Sequence, residues 1–276
     1  MHSAWRCSRI VRRAAGGASA LALVALAAVT VQAPLPPRPS LWTDPETGMQ
    51  FVLIRPGSFR MGTPADEPQR EAGEVPHTVR ITRAFYLGRY EVTQGEWMSV
   101  MGENPAAFGD CGARCPVETV SWQAVKEFIH RLNEGSVRGF RLPTEAEWEF
   151  ACRAGDSEAF GRSSTLSSRE ANIHGEFPYH APKGTFRGRP VPVGYFQPSG
   201  WGLYDMAGNV WEWVEDAYCP YPDGPVSDPR GACGSPLKVI RGGSWAFNGA
   251  SARCGLRYTH RPEDAGHSLG FRLAHD

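Results

Sequence analysis

The apolar positions change period along the chain, and those changes mark out the elements. Residues 51–59, FVLIRPGSF, form an apolar run that predicts a strand. Thr78 to Tyr90 (TVRITRAFYLGRY) alternates, with Val79, Ile81, Phe85 and Leu87 as its apolar members, and predicts extended structure. The period then lengthens. Val125, Phe128, Ile129 and Leu132 stand at i, i+3, i+4 and i+7, which predicts a helix capped by Ser121 and ended by Gly135. Thr93 with Glu96, and Thr144 with Glu147, have the spacing of capping boxes, in which each side chain takes up the backbone N–H of the other residue. They predict helices carrying Trp97, Val100 and Met101, and Trp148, Ala151 and Cys152. Beyond Gly155 the pattern lapses, and only Lys238–Ile240 and Phe271–Leu273 read as clearly extended. No internal repeat is visible. The expected architecture is α+β: one loop-rich domain with few helices and short antiparallel strands.

Composition narrows the class. The formal net charge is zero, which argues against a nucleic-acid partner, since that role needs a basic face to release counterions. The 31 glycines and 23 prolines favour turns over long helices. At the N-terminus, Arg6, Arg9, Arg12 and Arg13 precede the apolar stretch 18–31, and Val31-Gln32-Ala33 offers a site for signal peptidase. Pro34 would follow that cut and makes a poor scissile bond, so two outcomes stay open for residues 1–33: a cleaved signal peptide or a retained anchor. Pro34, Pro36, Pro37 and Pro39 make residues 34–48 a stiff linker, leaving 49–276 as the domain. The expected location is secreted or periplasmic, with membrane contact only through an uncleaved leader, and the expected state is monomeric. Beyond Cys7, the six cysteines Cys111, Cys115, Cys152, Cys219, Cys233 and Cys254 suit disulfides in an oxidising compartment. Six cysteines allow 15 pairings. Pairing Cys111 with Cys115 and Cys219 with Cys233 closes short loops and leaves Cys152 and Cys254 for each other. Cys111-x3-Cys115 has no second pair at zinc-finger spacing, which argues against zinc.

Seven phrases stand in order: FVLIRPGSFRMG, FYLGRYEVTQGEW, CPVETVSW, RLPTEAEWEFACRAG, WGLYDMAGNVWEWVED, VIRGGSW and LGFRLA. Together they resemble the sulfatase-modifying factor family, whose founding member is the formylglycine-generating enzyme. The likeness spans about residues 50–274. It implies a variant of the C-type-lectin fold with little regular structure. It also implies an oxidase that converts a cysteine of an unfolded protein to an aldehyde, or acts on a peptide-derived molecule as the periplasmic siderophore-maturation members do. The family disulfide whose cysteines match Cys152 and Cys254 gives that pair a second, independent support.

The resemblance maps Ser244, in Arg241-Gly242-Gly243-Ser244, onto the family's active-site serine. The family's enzymes hold copper(I) on two cysteines just beyond, and soft thiolates suit that ion. Here Phe247 and Ala252 fall near those positions, so copper and canonical formylglycine synthesis are not expected. Calcium is the expected cofactor. By the same resemblance, Asp205 and Glu212 would supply side-chain oxygens to it, and Gly208 and Val210 would supply carbonyls, the oxygen-only set a hard cation takes. A second calcium site would begin at Asn172 and Ile173, but its next acidic ligand is missing from Lys183-Gly184-Thr185-Phe186. Trp201, Trp211 and Trp213 read as core, with Trp245 open, and His77, His174, His180, His260 and His267 show no ligand spacing. Two functions compete: an exported oxidase acting on a protein or peptide substrate, and a binding module that presents residues 246–252 to a protein or glycan.

Overall fold

The computed structural model describes residues 40–134 and 139–276. The leader at 1–33, the first residues of the linker and Gly135 lie outside them. The strands β1 (Leu41–Thr43), β2 (Gln50–Ile54), β3 (Gly57–Met61), β4 (His77–Ile81) and β5 (Phe85–Gly88) open the domain. β1 pairs antiparallel with β2, so the domain starts inside the stretch that composition assigns to the linker. The strand expected over 51–59 is in fact two strands. β2 pairs with β1 and β5, whereas β3 pairs with β4 in a different sheet. Pro56 accounts for the break: it has no N–H for the ladder, and it restricts Arg55 before it. The segment 78–90 divides in the same way between β4 and β5. At that break the Thr82 N–H donates to the Asp228 carboxylate at 2.8 Å, and the Thr82 hydroxyl bonds the same carboxylate.

The three expected helices form. Both capping boxes close at α1 (Gln94–Met101) and α3 (Glu145–Arg153), and the Ser121 side chain caps α2 (Trp122–Asn133). α2 stops at a cap on Glu134, one residue before the expected Gly135. α3 stops at Ala154, whose φ of 49° places it in the left-handed region. Every α3 residue except Glu147 is buried. Glu145 and Glu149 on this helix are therefore buried acids, and they are paired with arginines from distant strands and turns.

The C-terminal half adds β6 (Trp211–Ala217), β7 (Val226–Ser227), β8 (Lys238–Arg241), β9 (Tyr258–His260), β10 (Leu269–Phe271) and β11 (Ala274–His275). The sheets run β1-β2-β5-β11, β10-β6-β8-β9 and β3-β4-β7. The extended segment expected at 271–273 sits instead at 269–271, with Leu273 between β10 and β11. β6 was not legible in the sequence. Trp211, Glu212, Trp213 and Val214 are all buried, so no polar face alternates with an apolar one.

One core cluster gathers Trp97, Phe128, Trp213 and Phe271, with Trp97 stacked on Phe128 at 5.1 Å. A second packs Trp148, Phe150, Val214 and Val239. Trp211, Trp213 and Trp245 are buried, and half-buried Trp201 packs edge-on against Phe150. All three expected disulfides form: Cys111–Cys115, Cys152–Cys254 and Cys219–Cys233. Among the described residues, no helix is long and apolar enough to cross a membrane.

Candidate functional site

The residues singled out in separate phrases converge on one locus. After β8 the chain turns through Gly242 and Gly243, at φ 92° and 71°. A side chain on Gly243 would meet the Ala252 backbone at 2.9 Å, so only glycine fits there. The Gly242 carbonyl accepts the Gly208 N–H at 2.7 Å, and the Asn209 carbonyl accepts the Trp245 N–H at 2.9 Å. The Asn209 N–H donates in turn to the Asn172 carbonyl at 2.8 Å. The GGS turn, the Gly208–Glu212 loop and Asn172 thus form one interlocked block.

Ser244 lies inside this block at 0% exposure. Its Oγ accepts the Ala246 N–H at 3.4 Å, and its carbonyl accepts the Phe247 N–H at 3.0 Å. Among the described residues, no imidazole or carboxylate hydrogen-bonds its hydroxyl. Ala252 is fully buried, whereas Phe247 is 38% exposed. The donor set does not fit copper(I): every cysteine among the described residues is in a disulfide, and neither a phenyl ring nor a methyl group ligates metal.

The acidic side of the block holds Glu91, Asp205 and Glu212, all buried. Arg272 grips Glu212 with two hydrogen bonds of 2.7 and 2.6 Å, and the Trp148 indole donates a third at 2.7 Å. Glu91 accepts the Val210 N–H at 3.0 Å and the Asn209 amide at 2.7 Å. Burial, with Asp205 and Glu212 nearby, raises the Glu91 carboxyl well above the usual carboxylate range. Burial also pushes Asp205 up to about 6, although its Oδ2 accepts the Gly194 N–H at 2.8 Å. Three buried acids face one arginine, an arrangement that disfavours ionisation of all three together unless further positive charge is supplied. Two of the four side-chain or carbonyl ligands expected for calcium, Asp205 and Glu212, belong to this cluster, and Gly208 and Val210 flank it in the same loop. Glu212 already receives three donors, which leaves about one lone pair of its four. At the second expected site the Asn172 Oδ1 is buried without a partner, while its amide donates to Arg189 and Asn209. Among the described residues, no group of three or more His, Cys, Asp or Glu side chains is arranged to hold a metal.

Sequence reasoning missed the aromatic surface around the turn. The Phe247 ring meets Trp211 edge-on at 5.5 Å, and Trp211 stacks on Tyr258 at 5.7 Å. Beside them Trp245 packs against Phe108 at 5.5 Å and Phe186 at 6.2 Å, and Phe186 stacks on His174 at 3.9 Å. Phe177, Phe186, Phe247 and Tyr258 are all exposed. Two polar atoms here are buried without a hydrogen-bond partner, Trp211 Nε1 and His174 Nδ1. These aromatics come from five separate loops and strands, so no local pattern could have revealed the face.

Residues 38–276 match the family described as the sulfatase-modifying factor enzyme 1-like domain. The formylglycine-generating enzyme of Bos taurus is 30% identical over 287 residues, covering 84% of this chain and 76% of that protein. The inactive C-alpha-formylglycine-generating enzyme 2 of Mus musculus is 34% identical over 168 residues, covering 58% of this chain and 48% of that protein. Among solved structures, the variable protein 1 of Treponema denticola superposes with a TM-score of 0.74 at 27% identity, covering 87% of this chain and 99% of that one.

Proposed function

The chain belongs to the sulfatase-modifying factor family, and from that premise we propose that it is an exported, non-catalytic binding module that presents the Phe247 face to a protein or glycan. One observation carries this reading. At the locus where the family places its reaction, the hydroxyl of Ser244 is sealed inside, no free thiol is present among the described residues, and the outward-facing residue is a phenylalanine. Around Phe247 the exposed rings of Tyr258, Phe177 and Phe186 supply stacking area. A relative described as inactive is consistent with a frame that outlasts the reaction. Three disulfides suit an oxidising compartment and support export.

In this reading calcium has a structural role. Asp205 and Glu212 would hold it with the carbonyls of Gly208 and Val210, and its charge would offset the buried acids that Arg272 leaves unbalanced. Asn172 Oδ1 and the Ile173 carbonyl would be the first donors of the second site.

The deciding experiment has two arms. Glycan-array and defined-protein binding should show a ligand that Phe247→Ala releases while the fold is retained. Incubation with copper(I), oxygen and a cysteine peptide should leave the peptide mass unchanged. Formylglycine in that peptide overturns the proposal and restores the oxidase reading.

A further inference from the structure

A cavity of about 350 Å³ lies where the Cys219–Cys233 loop folds over β3, β7 and the start of α3. None of its lining residues belongs to the Phe247 face. Met61, Ala146, Val226, Pro220, Pro229 and the ring of Tyr221 give it a mostly apolar wall. A cavity of this size and lining is typical of a small-molecule site.

Its buried charged groups are all hydrogen-bonded. Asp216 accepts the Glu145 N–H at 2.8 Å and the Gly231 N–H at 2.5 Å. Arg257 forks onto Glu145 at 2.8 and 2.7 Å, donates to the Cys219 carbonyl at 2.8 Å, and lies 3.9 Å from the Tyr221 ring centre. The Tyr221 hydroxyl donates to Glu145 at 3.1 Å. Arg230 is exposed at the rim.

His77 is the exception. It is 5% exposed, lines the cavity and lies 4.6 Å from the Tyr221 ring. Its Nδ1 stands 3.0 Å from the Val75 carbonyl, which can only accept, so Nδ1 carries the proton. In the neutral ring Nε2 is then a lone-pair acceptor, and it has no partner. Leaving such an atom buried and unpaired is unfavourable, and a ligand donor would relieve it.

We propose that this cavity binds a small, uncharged, ring-sized molecule that donates one hydroxyl or N–H to His77 Nε2. Charged ligands are disfavoured because either sign of ligand charge would meet a like charge, Glu145 and Asp216 for an anion, Arg257 and Arg230 for a cation. The apolar wall supplies the remaining affinity. The site is independent of the Phe247 face, so the two readings stand or fall separately.

Calorimetric or NMR titration of the full chain with phenol, toluene and benzoate tests this. Phenol and toluene present the same ring with and without a donor. Phenol should bind about tenfold tighter than toluene, and benzoate should bind weakest. His77→Phe should bring phenol and toluene to within about twofold of each other. Ala232→Trp, on the exposed loop wall, should block both ligands and leave the melting temperature close to that of the wild type. Equal wild-type affinities for phenol and toluene overturn the proposal, as does preference for benzoate. Absence of saturable binding at millimolar probe, or binding untouched by Ala232→Trp, overturns it as well.

Discussion

Arg272 and Glu212 form a fully buried, two-pronged ion pair, with Nε 2.7 Å from Oε2 and Nη2 2.6 Å from Oε1. Arg272 also donates to the carbonyls of Gly88 and Tyr204, each at 3.0 Å, so one guanidinium joins β5, β6 and the loop before Asp205. Arg272→Met would leave Glu212 buried beside Glu91 and Asp205 without a counter-charge. Removing one member of such a pair costs about 3–5 kcal/mol. Chemical denaturation should show a loss of that size, and a change under about 1 kcal/mol would refute the role given to the pair.

The Cys152–Cys254 bond spans 102 residues and ties α3 to the segment after the GGS turn. It restricts the unfolded chain far more than the Cys111–Cys115 bond, which spans 4 residues. Cys152→Ala with Cys254→Ala should cost about 2–5 kcal/mol, and the Cys111/Cys115 double variant distinctly less. Thermal melts of the two double variants under non-reducing conditions give the comparison.

Phe247→Ala removes an exposed ring from Trp211 without opening a core cavity. Its effect on stability should stay within about 0.5 kcal/mol, whereas binding through the face should weaken by tenfold or more. A variant that unfolds instead would show that the ring is structural.

Calcium should raise the melting temperature of the chelator-treated protein, because a ligand bound only to the native state stabilises it. At a hundredfold excess over Kd the gain is about 2.7 kcal/mol. Asp205→Ala should abolish the shift. Equal melts with calcium and with chelator would remove calcium from the account.

Asp216 makes a signed pH prediction. Burial, with Glu145 beside it, pushes its carboxyl from 3.8 up to about 6. Between those values the folded state holds a proton that the unfolded state lacks. The stabilisation is therefore fully present below about pH 4 and is lost as the pH rises through about 6. Its size is about 3 kcal/mol at most. Asp216→Asn should flatten the pH dependence between pH 4 and 7 relative to the wild type, as followed by denaturant midpoints. An unchanged slope would show that Asp216 does not titrate in this range.

The sequence by itself determined the features written in local chemistry. Thr93 with Glu96 and Thr144 with Glu147 close as capping boxes because each pair needs only three residues of backbone between its members. The seven ordered phrases carried the family, and the two short-loop cysteine pairs, with the family resemblance for Cys152 and Cys254, carried the three disulfides. Tertiary structure decided the rest. β6 is buried on both faces, so its seven residues hide the alternation that marks a strand. Pro56 divides one apolar run between two sheets, a choice made by partners elsewhere in the chain. Ser244 is a plain serine in sequence. Its burial follows from the Gly208–Gly242 and Asn209–Trp245 hydrogen bonds, which close the turn onto a loop more than thirty residues upstream. His77 and Tyr221 meet across a sequence separation of 144, and the environment of a buried polar atom exists only once such distant segments have packed together.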